Sequence, residues 1–352
     1  MKRSLRSFAV MAAGLALAFA GTAAAQQRLT VGKKAPAINV DAEGWVQGKA
    51  PSLDGDGVVV VEFWATWCAP CKKSIPHLNK LYQANKRHGL EMVGISTEQN
   101  AKLVGSFVKQ KGDGMTYNVA ADVSGEMNRN WMEAAGQQGI PTAFIVGRGG
   151  KILWIGHPLD EEFDNVVKLA LVGKYDPVLT PKAKPAVEAA KRAAKLRNYR
   201  EAYQLMDDVV KLDPTLFSSV AVERYKITLE QEKSEADARK YLQTMMPLWG
   251  SDAYSLNEVV TAICKDPEIT KRDLALAMTY AEQMRKALST QPAGALAAIA
   301  MVHASKGDYD KALESQTNAW MAAAPDDKAD YKRVLDEYQT AKGLKDQARL
   351  GG

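Results

Sequence analysis

Residues 59–78 read VVVEFWATWCAPCKKSIPHL, and this stretch decides the fold of the first half of the chain. It lies in a run of β-branched and aromatic residues, 58–65, which predicts a strand that is buried on both faces. A helical pattern follows over residues 70–88. The two cysteines of the stretch, Cys68 and Cys71, therefore stand where the strand ends and the helix begins.

A Cys-x-x-Cys pair at the start of a helix has a specific chemical use. The unpaired N–H groups and the dipole of the first turn favour a negative charge, so the thiolate of the first cysteine forms near neutral pH. The spacing lets the second thiol attack a mixed disulfide made by the first. Pro70 suits the first turn, where the N–H that proline lacks would have no partner in the helix. The pair points to thiol–disulfide chemistry.

Two other uses of such a pair do not fit. A zinc site needs further ligands, and beyond this pair the chain has one cysteine, Cys264, and four scattered histidines. Covalent haem attachment needs a histidine directly after the second cysteine, where Lys72 stands. Three cysteines are also too few for a disulfide-stapled scaffold. We therefore expect no metal, and no cofactor besides a redox-active disulfide between Cys68 and Cys71.

The surroundings of the pair resemble the thioredoxin superfamily. Trp67 precedes the first cysteine as in that family, and Pro76 matches the proline that kinks its active-site helix. Glu62 occupies the place of the family's buried acid, and residues 139–142, GIPT, match its cis-proline turn. The form FWATWCAPC, Ala-Pro at 35–36 and a helix-containing insert between 97 and 139 are similar to the exported TlpA/ResA-like branch. The resemblance covers residues 31–173.

The resemblance implies a role for each matching residue. Cys68 would be the attacking thiolate, Cys71 the resolving thiol, and Glu62, if buried beneath Cys71, a proton shuttle with a raised pKa. Pro141 would hold a cis peptide beside the sulfurs. The residues expected to contact substrate are Ile140, Trp67, Ala69 and Pro70. In one departure, Gly94 stands where the family has a lysine that partners the buried acid, so a relay through Glu62 must work without that lysine.

Strand and helix patterns alternate through the first half of the chain. Apolar runs predict strands at 58–65, 91–97, 142–146 and 151–155, the last two joined by a hairpin at Gly149-Gly150. Helical patterns lie at 70–88, 101–111, 124–135 and 160–171. The alternation predicts a sheet with helices on its faces. Together with the resemblance, it predicts an α/β thioredoxin fold over residues 26–173.

The pattern changes after residue 173. Three prolines in GKYDPVLTPKAKP, residues 173–185, predict a linker at 174–185. Beyond it, Ala, Leu, Lys and Glu at helical spacing predict an all-α domain over 186–345. Ala202 and Ala312 each follow a tyrosine by three residues and another alanine by 12, and each precedes a proline by 12 or 13. This resembles the tetratricopeptide repeat (TPR). A plain Ala-rich helical bundle is the alternative.

The N-terminus has the layout of a secretory signal peptide. A basic start with Lys2, Arg3 and Arg6 precedes an apolar stretch at residues 8–20, and a small-residue segment ends at Ala25. We expect cleavage after this signal peptide, residues 1–25, and a periplasmic mature protein; an uncleaved membrane anchor is the alternative. Loss of the three basic residues lowers the net charge from +5 to +2. This balance gives no reason to expect nucleic acid as a partner.

These predictions combine into a periplasmic thiol–disulfide oxidoreductase that reduces disulfides in protein substrates. The resemblance implies a membrane-embedded thiol donor upstream, and the helical domain is expected to bind a protein or peptide. Two alternatives stay open: an oxidase or isomerase for folding proteins, and an assembly module whose redox role is vestigial. Cys264 is expected to be a buried free thiol, and His77 an exposed helix residue. The sequence does not identify the substrate.

Overall fold

The structure, a computed structural model, describes residues 28–290 and 292–350. The predicted signal peptide, residues 1–25, lies outside the described residues. Within them, the first half of the chain forms a six-stranded mixed sheet of β1 (Trp45–Gln47), β2 (Val58–Trp64), β3 (Leu90–Ser96), β4 (Asn118–Ala121), β5 (Thr142–Val146) and β6 (Ile152–Gly156). The strands lie in the order β1-β4-β3-β2-β5-β6. Strands β2, β3 and β4 are parallel, and the other neighbours pair antiparallel.

The central strand β2 is buried along its whole length, as its apolar sequence predicts. Three helices cover one face of the sheet: α1 (Ala69–Asn85), α2 (Ala101–Lys111) and α3 (Phe163–Leu171). Val60 and Trp64 pack in the layer formed by these helices, whereas Val61 and Phe63 belong to the core of the opposite face. Because side chains alternate along a strand, Glu62 points into the layer that contains α1.

The predicted strands β2, β3, β5 and β6 are confirmed to within one residue at each end. The predicted hairpin is also confirmed, since Gly149 and Gly150 join β5 to β6 with φ angles of 71° and 76°. The predicted helical segment at 124–135 is helical at 126–133, but Asn128–Glu133 is a π-helix and not an α-helix. Strands β1 and β4, of three and four residues, have no sequence prediction.

In residues 174–290 and 292–350 the chain forms helices and no strand. These helices are α4 (Leu179–Lys195), α5 (Tyr199–Leu212), α6 (Ser218–Glu230), α7 (Glu235–Trp249), α8 (Ala253–Lys265), α9 (Leu274–Ala287), α10 (Ala293–Ser305), α11 (Tyr309–Ala322) and α12 (Lys328–Leu350). A thioredoxin-fold α/β domain followed by an all-α region is therefore confirmed.

The segment predicted as a linker, 174–185, is helical from Leu179 onward. Helix α4 begins inside it at Leu179, with Pro181 in its first turn and Pro185 further along. A proline is tolerated in the first helical turn, where the N–H that it lacks has no partner in the helix. The exact domain bounds stay a prediction.

The alanines that define the predicted repeat occupy tightly packed positions. All four, Ala190, Ala202, Ala300 and Ala312, are fully buried. Consecutive helices such as α4 and α5, or α10 and α11, pack against each other. The TPR assignment itself stays a prediction, because an Ala-rich bundle would bury the same residues.

Among the described residues, three ion pairs join the α/β domain and the residues just after it to the helical region. Glu162, just before α3, lies 2.5 Å from Lys184 in α4. The Lys174 ammonium, which follows α3, lies 2.8 Å from a carboxylate oxygen of Asp252 at the start of α8. Arg87, just past the end of α1, lies 2.8 Å from Asp330 in α12. These contacts come from the beginning, the middle and the end of the helical region. None of the helices in the described part of the chain combines the length and the hydropathy needed to span a membrane.

Candidate active site

Cys68 and Cys71 form a disulfide at the N-terminus of α1. Cys68 is the N-cap residue, and its Sγ accepts a hydrogen bond from the backbone N–H of Cys71 at 3.2 Å. Pro70 lies in the first turn, as the sequence predicts. The cap places the first sulfur at the positive end of the helix dipole, which favours a thiolate there once the disulfide is reduced.

Glu98 fixes the loop that leads into Cys68. Its carboxylate accepts hydrogen bonds from the Thr66 backbone N–H and the Thr66 hydroxyl, each at 2.7 Å. A third bond comes from Ser96 Oγ at 3.0 Å. The sequence analysis did not single out Glu98. Thr66 is 32 residues away along the chain, and its contact with Glu98 depends on β2 and β3 ending side by side.

The predicted cis-proline turn lies directly beside the sulfurs. The peptide bond between Ile140 and Pro141 is cis, and the carbonyl oxygen of Ile140 is 3.8 Å from Cys68 Sγ. The Thr142 hydroxyl donates to the Gly139 carbonyl at 2.7 Å and closes the turn. The backbone of this turn therefore forms one wall next to the disulfide.

The residues predicted to contact substrate surround the disulfide at the surface. Trp67 is 69% exposed although it immediately precedes the nearly buried Cys68. Ala69 and Pro70 are exposed, and Ile140 is half-buried. An exposed aromatic side chain beside a reactive sulfur offers apolar contact area to an approaching protein. The substrate-binding role of these residues stays a prediction.

Glu62 is fully buried on β2, in the layer that also contains Cys71. Its Oε1 accepts a hydrogen bond from the Ser74 hydroxyl at 3.3 Å, and Ser74 also donates to the Cys71 carbonyl at 3.0 Å. Burial raises the pKa of the Glu62 carboxyl from 4.5 to about 8, against the hydrogen bonds from Ser74 and Tyr117, which lower it. A carboxyl with a pKa near that of a thiol can exchange a proton with one.

Tyr117, just before β4, supplies the second hydroxyl near Glu62, at 3.5 Å from Oε2. The sequence analysis missed both Tyr117 and Ser74. A signal for the first was present, because Met115, Tyr117 and Val119 alternate with the polar Thr116 and Asn118. Such an alternation is typical of a strand. Gly94 pairs with Glu62 across β2 and β3 and carries no side chain that could reach it.

His77 and Cys264 lie apart from this chemistry. His77 on α1 is half-buried, and its Nε2 is 2.8 Å from Asp164 on α3. Cys264 is a buried thiol on α8 that forms no disulfide, and burial raises its pKa. Across residues 28–290 and 292–350, no cluster of His, Cys, Asp and Glu is arranged to hold a metal ion.

Comparison with known proteins identifies the family. Residues 31–155 match the model of the AhpC/TSA family. Over 129 residues the chain is 33% identical to the thiol-disulfide oxidoreductase ResA of Bacillus thuringiensis subsp. konkukian, an alignment that covers 36% of this chain and 70% of that protein. The chain belongs to the ResA family.

Other relatives of this ResA-family chain carry similar names. HelX of Rhodobacter capsulatus, a thiol:disulfide interchange protein, is 32% identical over 153 residues, which are 42% of this chain and 76% of HelX. A crystal structure of a thioredoxin-family thiol:disulfide interchange protein from Chlorobium tepidum TLS aligns with 27% identity and a TM-score of 0.32. That alignment covers 40% of this chain and 97% of the other. The chain is a thiol–disulfide oxidoreductase of the thioredoxin family. The family model ends at residue 155, before α4, and assigns nothing to the helical region.

Proposed function

We propose that this oxidoreductase acts in the periplasm and reduces disulfides in protein substrates through Cys68 and Cys71. One observation carries the proposal: a capped sulfur at a helix N-terminus lies 3.8 Å from the Ile140 carbonyl and follows an exposed tryptophan in the chain, and Ser74 links a buried acid to the backbone of the second cysteine. The relatives named above are a thiol-disulfide oxidoreductase and an interchange protein. Their names support the same class of reaction here.

The reaction begins with both cysteines reduced. The Cys68 thiolate attacks one sulfur of the substrate disulfide, forms a mixed disulfide and releases the other substrate sulfur as a thiolate, which takes a proton from solvent. Cys71 then loses its proton, attacks Cys68 Sγ, and the second substrate sulfur leaves as a thiolate. The substrate disulfide has gained two electrons, and the enzyme holds the Cys68–Cys71 disulfide seen in the structure.

Glu62 serves the second step as the proton acceptor of Cys71. Cys71 is fully buried, so its thiol has no direct access to bulk water as a base. The Glu62 carboxyl is linked to the Cys71 backbone through Ser74, and its pKa of about 8 is close to that of an ordinary thiol, about 8.5. A carboxyl whose pKa is raised into this range can exchange a proton with a thiol.

Substrate contact falls to Trp67, Ala69, Pro70 and the turn at Ile140 and Pro141. The exposed side chains provide apolar area, and the Ile140 backbone offers a carbonyl next to Cys68 for an extended peptide. We propose that Pro141 holds this backbone in place.

Reduction is the direction that we favour. Isoleucine before Pro141 and the buried acid both resemble thioredoxin, and a reductase needs its Cys68–Cys71 disulfide to be reduced again after each turnover. We propose a membrane-embedded thiol donor for that step and export by the N-terminal signal peptide. Oxidation of folding proteins uses the same residues with the opposite redox preference.

The helical region is proposed to bind the protein substrate or the redox partner. A cavity of about 540 Å³ lies where α3 of the redox domain meets α4, α6 and α8, and its lining includes Val166, Phe217, Tyr254 and Glu258. Neither cysteine of the disulfide lines it. Apolar side chains and charged ones such as Lys184 share its walls, so a bound segment of the partner would need both apolar and polar groups.

The reduction potential of Cys68–Cys71 tests the proposed direction. It is measured on the mature full chain by equilibration with glutathione buffers, with Cys68→Ser as the blank. We expect a value near about −270 mV, as for thioredoxin, together with reduction of a protein disulfide. A value near about −120 mV would make the protein an oxidant. No exchangeable disulfide at all would leave the helical region as the functional part.

A further inference from the structure

Two hydroxyl groups approach the Glu62 carboxyl from different elements. Ser74 reaches Oε1 from α1, the helix that carries Cys71. Tyr117 reaches Oε2 from the segment that precedes β4. Each oxygen thus has its own donor, and the plane of the carboxyl is set from both sides.

Gly94 makes room for the Tyr117 ring. Strand β3, which carries Gly94, lies between β2 and β4, so a side chain at position 94 would project into the space that the ring crosses. A Cβ atom added there would lie 3.1 Å from Cε2 of Tyr117 and 3.0 Å from Nε1 of Trp64. Both distances are shorter than ordinary van der Waals contacts. The tyrosine reaches Glu62 because the strand between them has no side chain at this point.

Hydrogen bonds from neighbouring side chains hold the backbone around Tyr117 in place, independently of the Tyr117 hydroxyl. The Gln47 side chain donates to the Tyr117 carbonyl at 2.6 Å and to the Met115 carbonyl at 3.0 Å. Asn79 on α1 accepts the Thr116 backbone N–H at 2.9 Å. The ring also packs edge-on against Tyr82, with 6.3 Å between centroids. The hydroxyl is therefore preorganised against Glu62, with little freedom left to lose on forming the bond.

We propose that Tyr117 is a positioning residue for Glu62. The Tyr117 hydroxyl holds Oε2 of Glu62 and so keeps Oε1 of Glu62 directed toward the helix that carries Cys71. The inference rests on the proposed role of Glu62 in thiol–disulfide exchange. Burial, and then the negative charge of Glu62, raise the pKa of Tyr117 well above 10, so the phenol stays a donor through the working pH range. Its bond stabilises the charged form of Glu62 and opposes the effect of burial.

The test compares Tyr117→Phe with Tyr82→Phe, which removes a neighbouring hydroxyl that makes no bond to Glu62. Carbon-13 NMR of the Glu62 carboxyl gives its titration directly, and the rate of mixed-disulfide resolution by Cys71 gives a pH profile. For Tyr117→Phe we expect the Glu62 pKa and the midpoint of the profile to rise together, by about one pKa unit. Tyr82→Phe should match the wild type in both measurements.

A second variant provides an independent test in case Tyr117→Phe does not fold. Gly94→Ala places a Cβ 3.1 Å from Cε2 of Tyr117, so the ring must shift by a few tenths of an ångström while the hydroxyl stays in the chain, and the Glu62 pKa should rise in the same direction. The inference is overturned if the Glu62 titration of folded Tyr117→Phe or Gly94→Ala coincides with that of the wild type. The NMR titration does not depend on enzyme activity. If the protein fails to reduce disulfides but the Glu62 pKa still rises in Tyr117→Phe, the proposed function is wrong, whereas the positioning of Glu62 by Tyr117 is supported.

Discussion

Lys174 Nζ lies 2.8 Å from Asp252 Oδ2 and joins the end of the redox domain to the helical region. The ammonium also donates to the Thr215 carbonyl at 2.6 Å and to Ser255 Oγ at 2.8 Å. Its side chain is 4% exposed and that of Asp252 is 31% exposed. The lysine is therefore a nearly buried charge whose side-chain hydrogen bonds all go to the helical region.

Lys174→Met should destabilise the junction between the two domains. The substitution leaves the partly buried Asp252 carboxylate without its cation, which costs about 2–4 kcal/mol in the free energy of unfolding. Chemical denaturation of the full chain measures the loss. Lys211→Met is the control, because Lys211 is exposed and pairs only with Asp208 on its own helix. Equal stability of the two variants would contradict the prediction.

The same ion pair should weaken in acid. Although burial alone raises the pKa of Asp252, the bonds from Lys174 and Ser255 outweigh it and hold the pKa below its ordinary value. A carboxyl with a lowered folded-state pKa stabilises the fold above its unfolded pKa, and this contribution is lost as pH falls through the folded value. The stability difference between wild type and Lys174→Met should therefore shrink below about pH 4.

Glu62→Gln should make the protein more stable at alkaline pH. The folded-state pKa of Glu62, about 8, lies above the ordinary 4.5, so the native state holds one proton more than the unfolded state between these values. Wild-type stability thus falls as pH rises through this window. The variant should gain on the order of 4 kcal/mol over wild type near pH 9 and nothing near pH 4. Glu91→Gln, an exposed substitution on β3, is the control. A gain that does not depend on pH would refute the raised pKa.

Cys71→Ser should trap substrate as a mixed disulfide. Cys68 retains its capped position and can still attack, whereas the thiol that resolves the intermediate is gone. Non-reducing electrophoresis after incubation with a disulfide-bonded protein should show a covalent adduct, sensitive to dithiothreitol. Cys68→Ser and wild type should show none, and an adduct on Cys68→Ser would exchange the two assigned roles.

Glu98→Ala should loosen the loop that precedes Cys68. Two hydrogen bonds from Thr66 to the carboxylate are lost, and bonds to charged groups contribute about 1.5–3 kcal/mol each. We expect a lower melting temperature and slower attack by Cys68, measured by thermal denaturation and by the rate of alkylation of the reduced enzyme. Lys72→Ala, close to the cysteines but outside this network, should retain the wild-type melting temperature.

Trp67→Ala should affect protein substrates and spare small ones. The ring is 69% exposed, so its loss leaves the core intact and the melting temperature unchanged. If it contacts substrate, truncation should lower kcat/KM for a protein disulfide by about tenfold or more. The rate with a small aromatic disulfide should change little. Equal losses with both substrates would assign Trp67 to the sulfur chemistry instead of to protein recognition.

The fold could be predicted where a pattern is long. Strand β2 has seven buried residues in succession, and its continuous apolar run indicates it without ambiguity. Strand β4 has four residues and follows a glycine-rich turn, so its signal is short and it was missed. The π-helical segment at Asn128–Glu133 has an apolar pattern that a regular helix would also show.

Some residues of the candidate site could be predicted from the sequence, and others could not. Cys68, Cys71 and Glu62 lie within ten residues of one another, so a local motif can reveal them. Tyr117 and Glu98 come close to the same site only after β3 and β4 are laid beside β2. Their contacts depend on strand register, which cannot be read from separate segments of sequence.

The ion pair between α12 and Arg87, just past the end of α1, affects how a substrate would be delivered to Cys68. Because Lys184 meets Glu162, Asp252 holds Lys174 and Asp330 meets Arg87, the helical region is restrained at three points instead of by one peptide link alone. A protein captured on that region, as proposed, would be held at a nearly fixed distance from Cys68. Its disulfide would then be attacked as if within one molecule, at an effective concentration set by geometry and independent of how dilute the free substrate is.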